Sequence, residues 1–243
     1  MKRENNYIKS FYNNFSSNLN SSGYNFRHYH ISKWLDNLVE INDDDNALEI
    51  GCGPGYSTYN LTKKISKGKI LGIDISEENI AIAKKIHEKT SNVEFHVSDM
   101  SDFITDIKFD IVILPDVLEH IPFDQHHDLF KTIRSCLKDS GSVIINIPDP
   151  DYLEFEHVTN KENLQVIDQP IHTYILSEKL KDTGLKITHL QCYSIDTVCF
   201  NYQILKLQPN DLKLSSKLVP WDMSLKSRLR RRINTIRGIK SFD

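Results

Sequence analysis

Residues 47–56 read Ala-Leu-Glu-Ile-Gly-Cys-Gly-Pro-Gly-Tyr. A short apolar run that contains one acid, Glu49, ends in three glycines within five positions. The residues that follow, Ser57 to Ile65, predict a helix. A strand, a glycine loop and a helix in this order bring bare backbone close to a small polar ligand at the carboxyl end of the strand. Glycine suits such a loop because it permits positive φ and has no Cβ to hold the ligand away.

The spacing of the glycines narrows the choice of ligand. A dinucleotide fingerprint reads G-x-G-x-x-G, whereas the glycines here are Gly51, Gly53 and Gly55. Because Glu49 also stands two positions before the first glycine, the stretch resembles motif I of the class I methyltransferases that depend on S-adenosylmethionine (SAM). Taken alone, the loop leaves two alternatives open: a nicotinamide-type Rossmann site and an ordinary tight turn.

A carboxylate follows the loop at the distance where a ribose is usually held. The second predicted strand, Lys69 to Asp74, ends in this acid. A carboxylate about 20 residues beyond a glycine loop can accept hydrogen bonds from both ribose hydroxyls. Ser76 predicts the N-cap of the next helix, so Asp74 has a second interpretation as part of that cap.

The third and fourth predicted strands lead into segments that resemble further motifs of the same family. Val93 to Val97 leads into Asp99 and Met100, which match the family's acidic position that receives the adenine amino group. Asp99 has an alternative interpretation as a turn-forming residue. Phe109 to Leu114 leads into residues 115–121, Pro-Asp-Val-Leu-Glu-His-Ile, which resemble motif IV of small-molecule methyltransferases.

The resemblance implies SAM as the cofactor. It assigns cofactor binding to Glu49, Gly51, Cys52, Gly53, Gly55, Asp74, Ile75, Asp99, Met100 and Pro115. The thiol of Cys52 has no neighbour in the sequence that would activate it, so we expect a small filler between glycines.

The rest of the sheet can be predicted from three further strands. Ser142 to Ile147 is the fifth strand, and the helix before it is expected to end near Ser140 and Gly141. Lys186 to Tyr193 and Val198 to Leu207 are separated by four residues, which predicts an antiparallel hairpin. The expected fold class is therefore α/β: a doubly wound, mostly parallel seven-stranded sheet with a terminal antiparallel hairpin, the Rossmann-like methyltransferase fold.

Two more helices follow from local patterns. Apolar residues at helical spacing predict an amphipathic helix over 31–39, preceded by a loop over 23–30 that is rich in aromatic and basic residues. The aromatic residues of that loop either shield the SAM sulfonium, as the resemblance suggests, or pack the helix onto the domain. Residues 177–183 predict a helix that Gly184 stops in a left-handed conformation.

Composition and charge agree with one domain of this kind. The chain has 243 residues and a formal net charge of −3, and its apolar runs are shorter than the ~20 residues that span a bilayer. Four cysteines without C-x-x-C spacing and a polar start without a secretory pattern predict a reducing cytoplasm. We expect a helical cap over 1–45, the SAM-binding domain over 46–207 with an acceptor insert over 150–175, and a basic amphipathic tail over 208–243.

The tail has two interpretations. Residues 226–240 contain seven basic residues and no acid, and their apolar residues share one helical face. Such a segment predicts peripheral contact with an anionic membrane or an acidic protein, or else a solvated tail. Nucleic acid is not the expected substrate, because the rest of the chain is acidic. The oligomeric state is not predicted.

Three histidines are candidate bases. His120 is the best placed by motif, and His157 and His172 in the insert are weaker candidates. With Asp116 and Glu119, His120 is also similar to the E-x-x-E-H metal segment of quinone-biosynthesis O-methyltransferases. Asp116 replaces the first glutamate there and is one methylene shorter, so we expect no metal.

The acceptor is expected to be a small molecule. Residues 164–172 resemble inserts of bacterial methyltransferases encoded with surface-polysaccharide genes, which implies O-methylation of a saccharide or glycan precursor. A quinone or lipid-phenol O-methyltransferase is the first alternative. A non-catalytic SAM-binding partner subunit is the second.

Overall fold

Seven strands form one mixed sheet in the order β3-β2-β1-β4-β5-β7-β6. The structure is a computed structural model and describes residues 26–101, 103–195 and 197–210. Strands β1 to β5 pair in parallel, and β7 runs antiparallel to both of its neighbours, β5 and β6. The strands are β1 (Ala47–Ile50), β2 (Ile70–Asp74), β3 (Val93–Val97), β4 (Phe109–Pro115), β5 (Leu137–Pro148), β6 (Leu185–Tyr193) and β7 (Tyr202–Pro209). The predicted fold class is confirmed.

The described helices precede β1 and join β1 to β2, β2 to β3, β4 to β5 and β5 to β6. They are α1 (Phe26–Leu38), α2 (Thr58–Thr62), α3 (Glu77–Ile86), α4 (His126–Cys136), α5 (Pro150–Thr159) and α6 (Thr173–Lys179), with 3₁₀ turns over Leu118–His120 and Lys161–Asn163. The predicted cap of α3 is confirmed, because the Ser76 side chain accepts from the Asn79 backbone N–H. Acids in its first turn and lysines in its last turn match the helix dipole.

The central strands explain why the sequence reads as short apolar runs. Every residue of β1 and β2 is buried, including Glu49 and Asp74. Helices cover both faces of such a sheet. Its strands therefore carry apolar residues on both faces and do not alternate between apolar and polar residues. One core cluster lies on the face that α4 covers, and a second on the face that α1 covers.

The hairpin between β6 and β7 is longer than predicted. β7 begins at Tyr202, not at Val198, so residues 194–201 connect the strands. Val198 and Phe200 mimic a strand pattern but are exposed. The Asn201 side chain closes the loop instead: its Oδ1 accepts from Ile195 N at 2.8 Å and its Nδ2 donates to Ile195 O at 3.1 Å.

Several helix boundaries also differ from the prediction. α2 ends at Thr62, before Ile65, and α4 ends at Cys136, because the chain already joins β5 at Leu137 and does not continue to Ser140. Ser177 lies inside α6, whose N-cap is His172. The left-handed stop is confirmed, since Gly184 has φ +77°.

Two segments for which no helix was predicted contain helical residues. Residues 26–30 belong to α1 and not to a loop. In the insert, α5 forms because the Asp149 carboxylate accepts from the Asp151 and Tyr152 N–H groups and Pro150 occupies the first turn. Its periodicity is weak because Leu153 is its one buried residue.

Part of the predicted organisation lies outside the described residues. This concerns residues 1–25, with the first part of the aromatic cluster, and the basic segment 226–240. The domain limits and the cytoplasmic location remain predictions. Within the described ranges, none of the helices combines the length and the apolarity that a membrane crossing requires.

Candidate functional site

A cavity of about 480 Å³ opens at the carboxyl ends of the parallel strands. It lies where the strand order reverses between β1 and β4, which is the usual ligand site of an open α/β sheet. One side, the loop half, is lined by the glycine loop, Asp74, Asn79, Asp99 and Met100. The other side, the insert half, is lined by residues 115–117 and 119–122 and by Tyr152, Leu153, Glu156, Leu164, Gln165 and Asp168, together with Arg27, His28 and Tyr202.

The glycine loop is held in a conformation that few other residues adopt. Gly51 has φ +72°, and a Cβ there would lie 2.0 Å from Val117 Cγ2. Gly53 has φ +52°, and a Cβ there would meet nothing within 4 Å, because this position lines the open cavity. Gly51 is therefore needed for packing against the 115–122 segment, whereas Gly53 leaves space for a ligand. Gly55 does not line the cavity; its carbonyl contacts His87 Nε2 at 2.8 Å.

Glu49 lies behind the loop and not on the cavity wall. Its carboxylate accepts hydrogen bonds from the hydroxyls of Ser57 and Thr58, and the side chain is 1% exposed. Burial raises the pKa of Glu49 to about 7, and the two hydroxyls oppose this effect. The acid of the predicted motif thus fastens the start of α2 to β1, and so positions the loop between them.

Asp74 lines the cavity at the end of β2. Its Oδ2 accepts from Gly53 N at 2.8 Å, and its Oδ1 accepts from Ser76 N at 2.8 Å and from Asn79 Nδ2 at 3.2 Å. Burial raises the pKa of Asp74, and these hydrogen bonds oppose the rise. Asp74 thus holds the N-cap residue of α3 and also faces the cavity, while its contact with a ribose stays a prediction.

Asn79 is a polar residue of this half that the sequence did not single out. It is buried on α3 and lines the cavity. Within the described part of the chain, its Oδ1 has no hydrogen-bond partner. Buried polar atoms are rarely left unpaired, so this oxygen indicates a ligand that donates a hydrogen bond beside Asp74.

The remaining predicted cofactor residues also line the cavity. They are Cys52, Ile75, Asp99, Met100 and Pro115. Asp99 Oδ1 accepts from Ser101 N at 3.0 Å and Oγ at 2.6 Å, so it forms the turn that was the alternative interpretation while it faces the cavity. Burial raises the pKa of the Cys52 thiol well above its usual value, which agrees with an inert side chain.

In the insert half, His120 pairs with a carboxylate that the sequence did not point to. Its Nδ1 lies 3.0 Å from Asp168 Oδ1 and 2.6 Å from Ile167 O, and its Nε2 lies 3.8 Å from Glu119 Oε1. Burial lowers the pKa of His120, but Glu119, Asp168 and the Ile167 carbonyl raise it to about 9. Burial also raises the pKa of Glu119, which is 2% exposed.

Asp116 belongs to a separate network of polar contacts. It has φ +55°, and its Oδ2 pairs with Arg27 Nε at 3.0 Å. Its Oδ1 accepts from Asn146 Nδ2 at 2.5 Å, and Tyr193 OH donates in turn to Asn146 Oδ1 at 2.6 Å. The charge of Asp116 is the largest effect that raises the pKa of Arg27.

Two of the histidines considered as bases are not part of this cavity wall. His172 Nε2 lies 2.8 Å from Glu154 Oε1, and His157 Nε2 lies 2.7 Å from Asp168 O. With Asp151 and Glu154, His172 forms the group of described residues whose potential metal ligands lie within 4.8 Å of one another. Asp116, Glu119 and His120 do not converge in that way.

Several residues of the site were not predicted from the sequence, and most of them lie far from the motifs along the chain. Arg27, Gln165 and Asp168 contact the site from segments far from the motifs. Asp168 lay inside the quoted insert, next to His172, but nothing in its local pattern indicated a partner for His120. Asn79 offered one signal: it is a polar residue between Ser76 and Ile80 on the buried side of α3.

Comparison with known proteins identifies relatives of the chain. A family model described as "Methyltransferase domain" matches residues 41–210, which is more than half of the chain. Trans-aconitate 2-methyltransferase of Escherichia coli O157:H7 is 29% identical over 124 residues, which cover 51% of this chain and 47% of that protein. The chain spans about half the length of the curated relatives it matches.

Solved structures share the fold at low identity. An S-adenosylmethionine-dependent methyltransferase from Clostridium acetobutylicum ATCC 824 has a TM-score of 0.60 and 18% identity, covering 82% of this chain and 98% of its own. Magnesium protoporphyrin IX methyltransferase from Synechocystis PCC 6803, with bound S-adenosylhomocysteine (SAH), has a TM-score of 0.65 and 17% identity, covering 83% and 98%. At these identities the likeness concerns the fold.

Proposed function

The chain belongs to the family of class I SAM-dependent methyltransferases, and from this premise we propose that it transfers a methyl group from SAM to a hydroxyl of a small molecule. The observation that carries the proposal is the loop half of the cavity. There, open space at Gly53, the Asp74 carboxylate and the unpaired Asn79 Oδ1 meet at the ends of β1 and β2.

These residues fit the cofactor of the family. Asp74 and Asn79 would accept hydrogen bonds from the ribose hydroxyls, the Gly51–Gly53 backbone would approach the methionine part, and Asp99 with Met100 would border the adenine. SAM supplies a methyl group that its own sulfonium charge activates. The task of the protein is therefore to hold the acceptor oxygen in line with that methyl group and to remove a proton.

His120 is our candidate base. Because Nδ1 faces the Ile167 carbonyl and Asp168, we assign its hydrogen to Nδ1, and Nε2 is then the nitrogen that takes the acceptor's proton. Asp168 holds the ring and stabilises the imidazolium that forms. Because the pKa of His120 is raised to about 9, turnover should increase as the pH rises towards that value.

The acceptor is proposed to be a saccharide or glycan precursor. The support is the sequence of the 164–172 insert and the presence of carboxylates, an amide and tyrosines among the residues that line the insert half. A quinone or lipid-phenol acceptor with a metal at Asp116, Glu119 and His120 is less well supported. Both oxygens of Asp116 are already bound, by Arg27 and Asn146.

A turnover screen tests the proposal. The protein is incubated with SAM and, in separate reactions, with free saccharides, nucleotide-linked saccharides and catechols, and SAH release is followed. We expect SAH release with a saccharide and a product heavier by one methylene group. Chelation with EDTA should leave the rate unchanged. Turnover with the catechols alone, lost on chelation and restored by magnesium, would contradict both the acceptor and the metal-free site.

A further inference from the structure

Two hydrogen-bond acceptors in the insert half have no partner among the described residues: Glu119 Oε2 and Gln165 Oε1. Both residues line the cavity, and Glu119 is 2% exposed. Leaving a buried acceptor unpaired destabilises the folded chain, and more strongly so when the group is charged. A bound molecule that donates hydrogen bonds would remove this penalty.

The two residues belong to one connected cluster. Glu119 Oε1 lies 3.8 Å from His120 Nε2, and His120 Nδ1 lies 3.0 Å from Asp168 Oδ1. Gln165 N then donates to Asp168 Oδ2 at 2.6 Å. Both residues are therefore linked to the candidate base and line the same cavity, where the acceptor is expected to bind.

The charges of this half favour a cation over an anion. The Arg27 charge is matched by Asp116 at 3.0 Å, and that of protonated His120 by Asp168. Burial, the largest effect, lowers the pKa of His28 to about 4, so His28 is neutral near pH 7. What remains on the described wall is the carboxyl group of Glu119, whose Oε2 has no hydrogen-bond partner among the described residues. An anionic acceptor would find no unmatched positive charge among these residues.

We propose that Glu119 and Gln165 form a subsite for an ammonium group, so that the acceptor is an amino-bearing molecule such as an amino sugar. This inference rests on the proposed function and specifies its acceptor. An ammonium group provides three donors and one positive charge, which suits two unpaired oxygens and a buried carboxyl group. The amino group serves recognition; the methylated atom is still the neighbouring hydroxyl, whose proton goes to His120.

Matched sugars test the subsite. Full-length protein saturated with SAH is titrated with D-glucosamine, D-glucose and D-glucuronate, and binding is followed by saturation-transfer NMR and calorimetry. We expect glucosamine to bind about tenfold more tightly than glucose, the scale of one charge-assisted hydrogen bond, and glucuronate to bind more weakly than glucose.

Three variants test which residues cause the preference for glucosamine over glucose. Glu119→Gln should remove the preference for glucosamine, and Gln165→Met, at a less buried position, should reduce it. Glu154→Gln, an exposed carboxylate of the same insert outside the cavity wall, should leave it unchanged. Retained SAH affinity and an unchanged melting temperature establish that the first two variants are folded.

The proposal is overturned if glucuronate binds as tightly as glucosamine, if glucosamine does not bind, or if its preference survives in Glu119→Gln. Any of these results with normal SAH binding removes the ammonium subsite alone. Absence of SAH binding removes the proposed function itself, so the two failures are distinguishable.

Discussion

His120 Nδ1 lies 3.0 Å from Asp168 Oδ1, although His120 follows a core strand and Asp168 belongs to the insert. The insert thereby contributes to the chemistry of the site as well as to its wall. Without the carboxylate, the ring would keep its contact with the Ile167 carbonyl but would lose the charge that stabilises its protonated form.

Asp168→Asn should lower the pKa of His120. In the wild type, the charge of Asp168 contributes to a value of about 9, so the variant should titrate at lower pH. The measurement is an NMR titration of the histidine Cε1–H signals, with His120→Ala identifying the resonance. Glu154→Gln is the matched control and should leave the curve in place. An unchanged titration in Asp168→Asn would show that the pair has no electrostatic role.

The substitutions Gly51→Ala and Gly53→Ala should have different effects, the first mainly on the stability of the fold and the second on SAM binding. Both glycines have positive φ, so an alanine at either position costs about 1–2 kcal/mol of unfolding free energy. Gly51→Ala should cost about 1–3 kcal/mol more, because its Cβ overlaps Val117. Gly53→Ala should instead weaken SAM binding, since its Cβ enters the cavity.

Chemical denaturation measures the first effect and calorimetry the second. Val117→Ala in the Gly51→Ala background should recover part of the lost stability, because it removes the overlapping methyl group. Equal destabilisation by the two glycine substitutions would contradict the described loop packing.

Local patterns were sufficient to predict the sheet. The short apolar runs around Glu49, Asp74 and Ile113 identify strands because strands buried on both faces are apolar throughout. The cap of α3 and the left-handed Gly184 are equally local. The hairpin loop was mispredicted because Val198 and Phe200 follow a strand pattern that the Asn201 contacts override.

The insert half could not be predicted in the same way. The contacts of Asp168 with His120, and of Arg27 with Asp116, join segments that are distant in the chain. Residue type gives no distance between such segments. The role of Glu49 was also not evident, because a buried acid in a glycine motif reads as a ligand contact until its two hydroxyl partners are located.

Asp74→Ala should weaken SAM binding by about one to two orders of magnitude. The variant loses an acceptor for the ribose, and a charge-assisted hydrogen bond of this kind contributes about 1.5–3 kcal/mol. It also loses the bond from Gly53 N that fixes the loop. Calorimetric titration measures the change, and Glu78→Ala, exposed on the neighbouring helix α3, is the control. Equal affinities in the two variants would exclude Asp74 from the SAM site.

Glu49 should make the stability of the protein depend on pH. Burial raises its pKa from 4.5 in the unfolded chain to about 7. The folded state therefore binds the proton more tightly than the unfolded chain. The contribution of protonated Glu49 to the stability of the fold is complete below pH 4.5 and is lost as the pH rises through 7.

Glu49→Gln keeps the side chain neutral and should remove that dependence. Its melting temperature should rise relative to the wild type between pH 4.5 and pH 7, by an amount that corresponds to about 3 kcal/mol at most. Glu78→Gln, exposed on α3, should show a constant difference. A constant difference in Glu49→Gln as well would mean that the buried carboxyl does not titrate in this range.

Calorimetry of the wild-type protein is the direct test of the assigned cofactor. Titration with SAM, SAH and NAD in parallel requires no knowledge of the acceptor. We expect saturable binding of SAM and SAH to one site, and no binding of NAD, because the glycine spacing and the cavity at Gly53, Asp74 and Asn79 suit the smaller cofactor. Binding of NAD, or no affinity for SAM, would contradict the assignment.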